Sequence, residues 1–165
     1  MSRGFVKEDD LEHAGTDLPE RPISGQANYV TSAGFKQLEA LASSLSAERA
    51  NLISHKDDAI AKQKLAMIDR DLRYVSAKLQ SAIVSELPLI QDSVLFGAQV
   101  TVEDEAGEPH IYQIVGEDEA DIKLNKVSWG SPIAKALIGQ KVGDSVIWRR
   151  PAGNQILTII AIQYY

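Results

Sequence analysis

The sequence predicts an α+β protein: an N-terminal antiparallel two-helix coiled-coil hairpin, then an antiparallel sheet with one short helix. Three observations carry this. A 3-4-3-4 apolar rhythm runs through Leu65, Ile68, Leu72, Val75, Leu79 and Ala82, the a/d seam of a coiled coil. Helical periodicity stops at Pro88, a residue that removes a backbone donor and blocks continuation of a helix. From Ser93 onward the pattern becomes short alternating runs separated by turn residues, as strands require.

Taken in order, residues 1–28 are polar and acidic, with Gly15, Pro19, Pro22 and Gly25 and no apolar period. They read as an extended tail or a docked arm. Residues 29–87 hold the hairpin. Thr31 or Ser32 caps its first helix, and Leu38, Leu41, Leu45 and Leu52 form one stripe that Glu48 interrupts. The second helix follows a short connection, so the two fold back antiparallel with their tip near 54–58. Residues 88–165 form the sheet domain. "VLFGAQVTVED" and "PHIYQIVGE" read as strands around the turn "EAGE", and "DSVIWRRP" and "QILTIIAIQYY" as strands around "PAGN". "SPIAKALIG" reads as the short helix, with Ser131 as cap, Pro132 in the first turn and Gly139 as stop.

Composition narrows the function. The chain has 165 residues, 44% hydrophobic and 24% charged, which are globular values. It has no cysteine, so thiolate chemistry and disulfides are excluded. The start lacks the apolar core of a signal peptide, and no apolar run reaches the roughly 20 residues that span a bilayer; the expectation is a cytoplasmic monomer without a membrane partner. A net charge of −6 argues against broad DNA binding. Residues 29–87, with seven acids against eight bases, are the only segment that is not acidic. No nucleotide loop of the G-x-x-x-x-G-K-[ST] type, cofactor fingerprint or Ser-His-Asp arrangement occurs, so the chain is expected to have no active site and no cofactor of its own.

The order of "YVTSAGF", "KLAMIDRDLRYV", "VLFGAQVTVEDEAGE", "YQIVGEDEAD", "SPIAKALIGQKVGDSV" and "IAIQYY" resembles the bacterial GreA/GreB transcript-cleavage factors over residues 29–165, with the returning helix closer to GreB. The resemblance implies an FKBP-like fold for the C-terminal domain and RNA polymerase as partner. That domain would hold the rim of the polymerase secondary channel. The hairpin would carry tip acids inward, sharing a Mg²⁺ with the polymerase active site and meeting the nascent RNA 3′ end only indirectly. The tip departs from the family motif, approximately G-D-x-x-E-N-A-E/D-Y: this chain has "SHKDDAI". Counted to the "IDR" landmark the hairpin is shorter by about 14 residues, a heptad per arm or roughly 10 Å. Small displacements matter in catalysis.

The candidate residues therefore carry paired readings. Asp57 and Asp58 are the tip acids directed at polymerase Mg²⁺, or a helix cap; no metal is expected to bind this chain stably, and Lys56 beside His55 disfavours ligation there. Lys62, Lys64, Arg70 and Arg73, with Lys78, are RNA or channel contacts, or the solvated flank of a coiled coil. Asp118, Glu119 and Asp121 of "DEAD", with Ser131 and Pro132, are contacts to the polymerase rim, or an acidic loop. Trp129 anchors an interface or packs on the sheet. Three functions compete: an elongation factor that stimulates cleavage of backtracked RNA, a channel-binding regulator that does not, and a non-enzymatic adaptor resembling the regulator Rnk. A peptidyl-prolyl isomerase would need Phe96, Tyr112, Trp129, Trp148, Tyr164 and Tyr165 to gather in one pocket, which their spacing does not suggest.

Overall fold

The computed structural model describes residues 18–55 and 57–165. Residues 1–17 of the expected tail, His13 among them, and Lys56 of the tip lie outside the described residues. The chain divides into two compact units: Leu38–Ser81 together with the chain up to Gln26, and Ala27–Gln37 together with Ala82–Tyr165.

The hairpin unit is built on α1 (Ser32–Ile53) and α2 (Ala59–Ser81). On α2 the expected rhythm holds. Ile68 and Val75 are buried, Leu65, Leu72 and Leu79 are half-buried, Ala61 extends the seam toward the tip, and the expected Ala82 lies past the helix end at Ser81. On α1 the seam differs from the expected stripe. Leu38 is buried, Ala42, Leu45, Arg49 and Leu52 are half-buried, and Leu41 is 43% exposed. Leucines 38, 45 and 52 are one heptad apart, and the seam position between them is four residues on, not three. Arg49, rather than Glu48, therefore sits on the seam. Its stem packs inward while Nε donates to Asp69 Oδ1 across the hairpin at 2.7 Å. Each fully buried aliphatic side chain contributes about 1.5–3 kcal/mol relative to exposure, and Val75, fully buried, anchors the seam.

The sheet unit holds two sheets. A five-stranded sheet has the order β5-β4-β3-β7-β6, with β3 (Gln99–Glu103), β4 (Pro109–Val115), β5 (Lys126–Ser128), β6 (Ser145–Trp148) and β7 (Gln155–Gln163). It is antiparallel except for β5, which joins β4 in parallel. A register shift between Thr101 and Val102 marks a bulge against β7. Alternation places Val100, Val102, Leu157 and Ile159 on one face, where the short helix α3 (Pro132–Leu137) covers them with Ile133, Ala134 and Leu137. The "EAGE" turn closes on Gly107 at φ 80°, a conformation glycine adopts without steric cost.

The second sheet is a two-residue parallel pair, β1 (Tyr29–Val30) and β2 (Ile83–Val84). It joins the strand entering α1 to the strand leaving α2 through Ile83 N–H to Asn28 O (2.8 Å) and Ser85 N–H to Val30 O (2.9 Å). This pairing explains why the division between units falls inside α1: the first turn of α1 belongs with the sheet.

Candidate functional site

The hairpin tip is built by local hydrogen bonds. The N–H of His55 reaches Leu52 O and that of Asp58 reaches His55 O, both at 2.9 Å. Asp58 then caps α2: its Oδ1 accepts from Ile60 N–H at 3.1 Å and its carbonyl accepts from Lys62 N–H at 2.9 Å. The first contact satisfies a donor that a helix start leaves orphaned, and the second is the first bond of the helix itself. Asp57 and Asp58 are both exposed. Among the described residues no group of three or more histidines or acids stands together to hold a metal ion.

The bases of α2 divide. Lys62 and Lys64 are exposed, whereas Lys78 is only 2% exposed. Arg70 pairs with its neighbour Asp71 at 3.2 Å. Arg73 holds Glu20 of the N-terminal segment through both Nε (3.0 and 3.1 Å) and Nη2 (2.6 Å). That hydrogen bond lowers the Glu20 pKa below the ordinary carboxylate value and raises that of Arg73. The next residue, Arg21, reaches Asp71 Oδ1 at 3.5 Å and lays its guanidinium over the Tyr74 ring, 3.8 Å from the centroid. The described part of the arm is thus docked along α2. No periodicity announces this, because two adjacent side chains make the contact.

In the sheet unit the expected rim residues separate. Asp121, Ser131 and Pro132 line one mostly apolar cleft of about 560 Å³ with Tyr112, Ile122 and Trp148. Ser131 Oγ caps α3, and Asp121 Oδ1 accepts from Lys123 N–H at 3.0 Å to start a short 3₁₀ turn over Ile122–Leu124. Asp118 is exposed and lies outside that lining.

Glu119, expected on the surface with them, is instead only 7% exposed. It accepts from the Thr31 hydroxyl and pairs with Lys126 at 3.5 Å. Thr31 Oγ1 in turn accepts from Gly34 N–H at 2.9 Å, capping α1. The "IVGEDEAD" run is therefore a socket for the start of α1. A side chain at Gly116 would fall on the Tyr29 carbonyl oxygen, and one at Gly34 would stand 2.6 Å from Glu119 Oε1.

Trp129 packs edge-on against Tyr29 with ring centroids 5.3 Å apart, half-buried rather than displayed. The other aromatics do not share one pocket: Phe96, Tyr164 and Tyr165 line a second cleft, apart from the one lined by Tyr112 and Trp148. Tyr112 and Trp148 meet at the cleft, Phe96 packs on Tyr29, and Tyr164 ties down Ser93 and Leu95.

A family model described as transcription elongation factor GreA/GreB, C-term, matches residues 89–164. The chain is 49% identical over 106 residues to transcription elongation factor GreA of Trichlorobacter lovleyi, covering 63% of this chain and 67% of that protein. It is 32% identical over 153 residues to transcription elongation factor GreB of Neisseria meningitidis serogroup B, covering 83% of this chain and 94% of that protein. Among solved structures, the GreA factor homolog 1 protein of Thermus thermophilus is 26% identical with a TM-score of 0.41, covering 84% of this chain and 99% of that one.

Proposed function

The chain belongs to the GreA/GreB family of transcription elongation factors, and from that premise we propose that it binds bacterial RNA polymerase at the secondary channel and modulates elongation by occupying it. The sheet unit holds the channel rim through the cleft face that carries Asp121, Ser131 and Pro132. The hairpin enters with Ser54–Asp58 leading. The observation that carries the occupancy reading is the cap: one Asp58 carboxylate oxygen is engaged at the start of α2, and only Asp57 stands beside it as a second tip acid.

A specific observation also favours a second reading, stimulated cleavage of backtracked RNA. Both carboxylates are exposed at the tip, and carboxylate oxygens are the hard donors Mg²⁺ prefers. Asp57 and the second carboxylate oxygen of Asp58 would hold the ion jointly with polymerase, and the ion would supply charge stabilisation at the reacting oxygens.

Backtracked elongation complexes separate the two. Polymerase binding and RNA cleavage are measured together for wild type, Asp57→Ala and Asp58→Asn, the last keeping a side chain that caps well while removing its charge. Binding with background cleavage in all three establishes occupancy. Cleavage by wild type that either substitution abolishes, with binding retained, establishes the second reading. Absence of binding by wild type removes both.

A further inference from the structure

The arm holding Arg73 and Tyr74 states the chemistry that this face of α2 accepts. A carboxylate takes Arg73 in a forked hydrogen bond, and a guanidinium takes both Asp71 and the Tyr74 ring. Bidentate Arg–carboxylate geometry and cation–π stacking are specific recognition modes. Both signs surround Arg73: Asp69, held by Arg49, lies one turn before it, and Asp71 is shared by Arg70 and Arg21. A phosphate chain laid on Arg73 would meet Asp69 and Asp71, so nucleic acid is a poor fit. A protein surface that presents an acid beside an arginine fits both halves.

The arm's hold is also weak. Side chains of Glu20 and Arg73 are 62% and 57% exposed and those of Arg21 and Asp71 are 39% and 27% exposed, and exposed pairs of this kind are readily exchanged and screened by salt.

We propose that Glu20 and Arg21 form a built-in competitor for a protein-docking face on α2 (Asp71, Arg73, Tyr74), displaced when a partner offers the same acid–arginine pair. Taking RNA polymerase as that partner rests on the function proposed above. The arm then tunes affinity: it lowers binding at low salt, where its own contacts are strongest, and the effect fades as salt rises.

The test uses the full chain, comparing wild type with Glu20→Gln/Arg21→Gln. Neither residue belongs to the tip or to the rim face. One readout needs no partner: the ¹⁹F resonance of fluorotyrosine at position 74, assigned with Tyr74→Phe. The other is polymerase affinity across a salt series. The expected result is a Tyr74 resonance shifted toward its solvent value in the variant, with affinity raised roughly three- to tenfold at low salt and the two proteins converging at high salt. A resonance unchanged by the substitutions overturns the docked arm. A shifted resonance with unchanged or reduced affinity overturns the competition. If neither protein binds polymerase, the proposed partner is wrong and the competition for it falls too, while the Tyr74 resonance still decides whether the arm occupies the face.

Discussion

Replacing Gly116 by alanine tests the socket that receives the start of α1. A Cβ there lands on the Tyr29 carbonyl oxygen, well inside the 3.0 Å below which Cβ contacts essentially never occur, with the Tyr29 carbonyl carbon at 3.5 Å and Val30 Cα at 3.6 Å. All three neighbours are backbone, so no rotamer change relieves the clash. Strand β1 must retreat by roughly half an ångström or more, against its hydrogen bonds with β2 and the Thr31–Glu119 contact, a case of overpacking that costs about 1–3 kcal/mol. For a unit of this size each kcal/mol lowers Tm by roughly 4–8 °C. Urea unfolding followed by tryptophan fluorescence reads the right part of the molecule. Both tryptophans, Trp129 and Trp148, belong to the sheet unit, and Trp129 touches Tyr29 itself. Gly25→Ala is the control: nothing lies within 4 Å of a Cβ there, and the expected change is within about 0.5 kcal/mol. A Gly116→Ala protein with the wild-type midpoint and the wild-type emission spectrum would refute the close approach of β1.

Other perturbations follow from the same geometry. Asp58→Ala should cost about 0.5–2 kcal/mol through loss of the α2 cap, and Asp57→Ala almost nothing, both read by thermal melts monitored by helical circular dichroism. Leu45→Ala should destabilise the hairpin measurably while Leu41→Ala stays within about 0.5 kcal/mol; the reverse order would restore the stripe through Leu41 and Glu48. Tyr164 O–H donates to Ser93 O at 2.5 Å and accepts from Leu95 N–H at 2.8 Å, so Tyr164→Phe should cost about 0.5–1.5 kcal/mol in chemical denaturation. Burial raises the Tyr164 pKa above its ordinary value of 10.0. The folded state therefore keeps the phenol proton longer than the unfolded chain. The contribution of Tyr164 is full below pH 10 and is lost as pH climbs through the raised value. Denaturation midpoints measured across that range should fall for wild type and fall less for Tyr164→Phe.

Legibility in the sequence followed the range of the determining contacts. Helix α2 could be read because five seam residues, Leu65 to Leu79, repeat along it without a glycine or proline between them. The stripe on α1 was misplaced because residue type misleads there. Leu41 is more apolar than Ala42, yet geometry rather than hydrophobicity selects Ala42 and Arg49 as partners of the leucine heptad. Strands β3, β4, β6 and β7 carry alternation long enough to detect. Strands β1, β2 and β5 have two or three residues each and exist only through partners distant in the chain. Glu119 looked like part of an acidic loop because nothing beside it in sequence shows that Thr31 will cover it. The tip acids could be placed on the turn from pattern alone, whereas the capping role of Asp58 needed the hydrogen bond to Ile60 N–H.

The parallel pair Tyr29–Val30 with Ile83–Val84 makes the coiled coil a closed excursion from the sheet unit, leaving and returning through adjacent strands. Such an excursion can change length with little entropic penalty, since closure cost grows only logarithmically with the number of residues enclosed. Its helical repeat restricts the steps: seven residues added to or removed from each helix keep both seams in phase and move the tip by roughly 10 Å. Reach is thus a quantised variable, and the strands that clasp its base need no alteration when it changes.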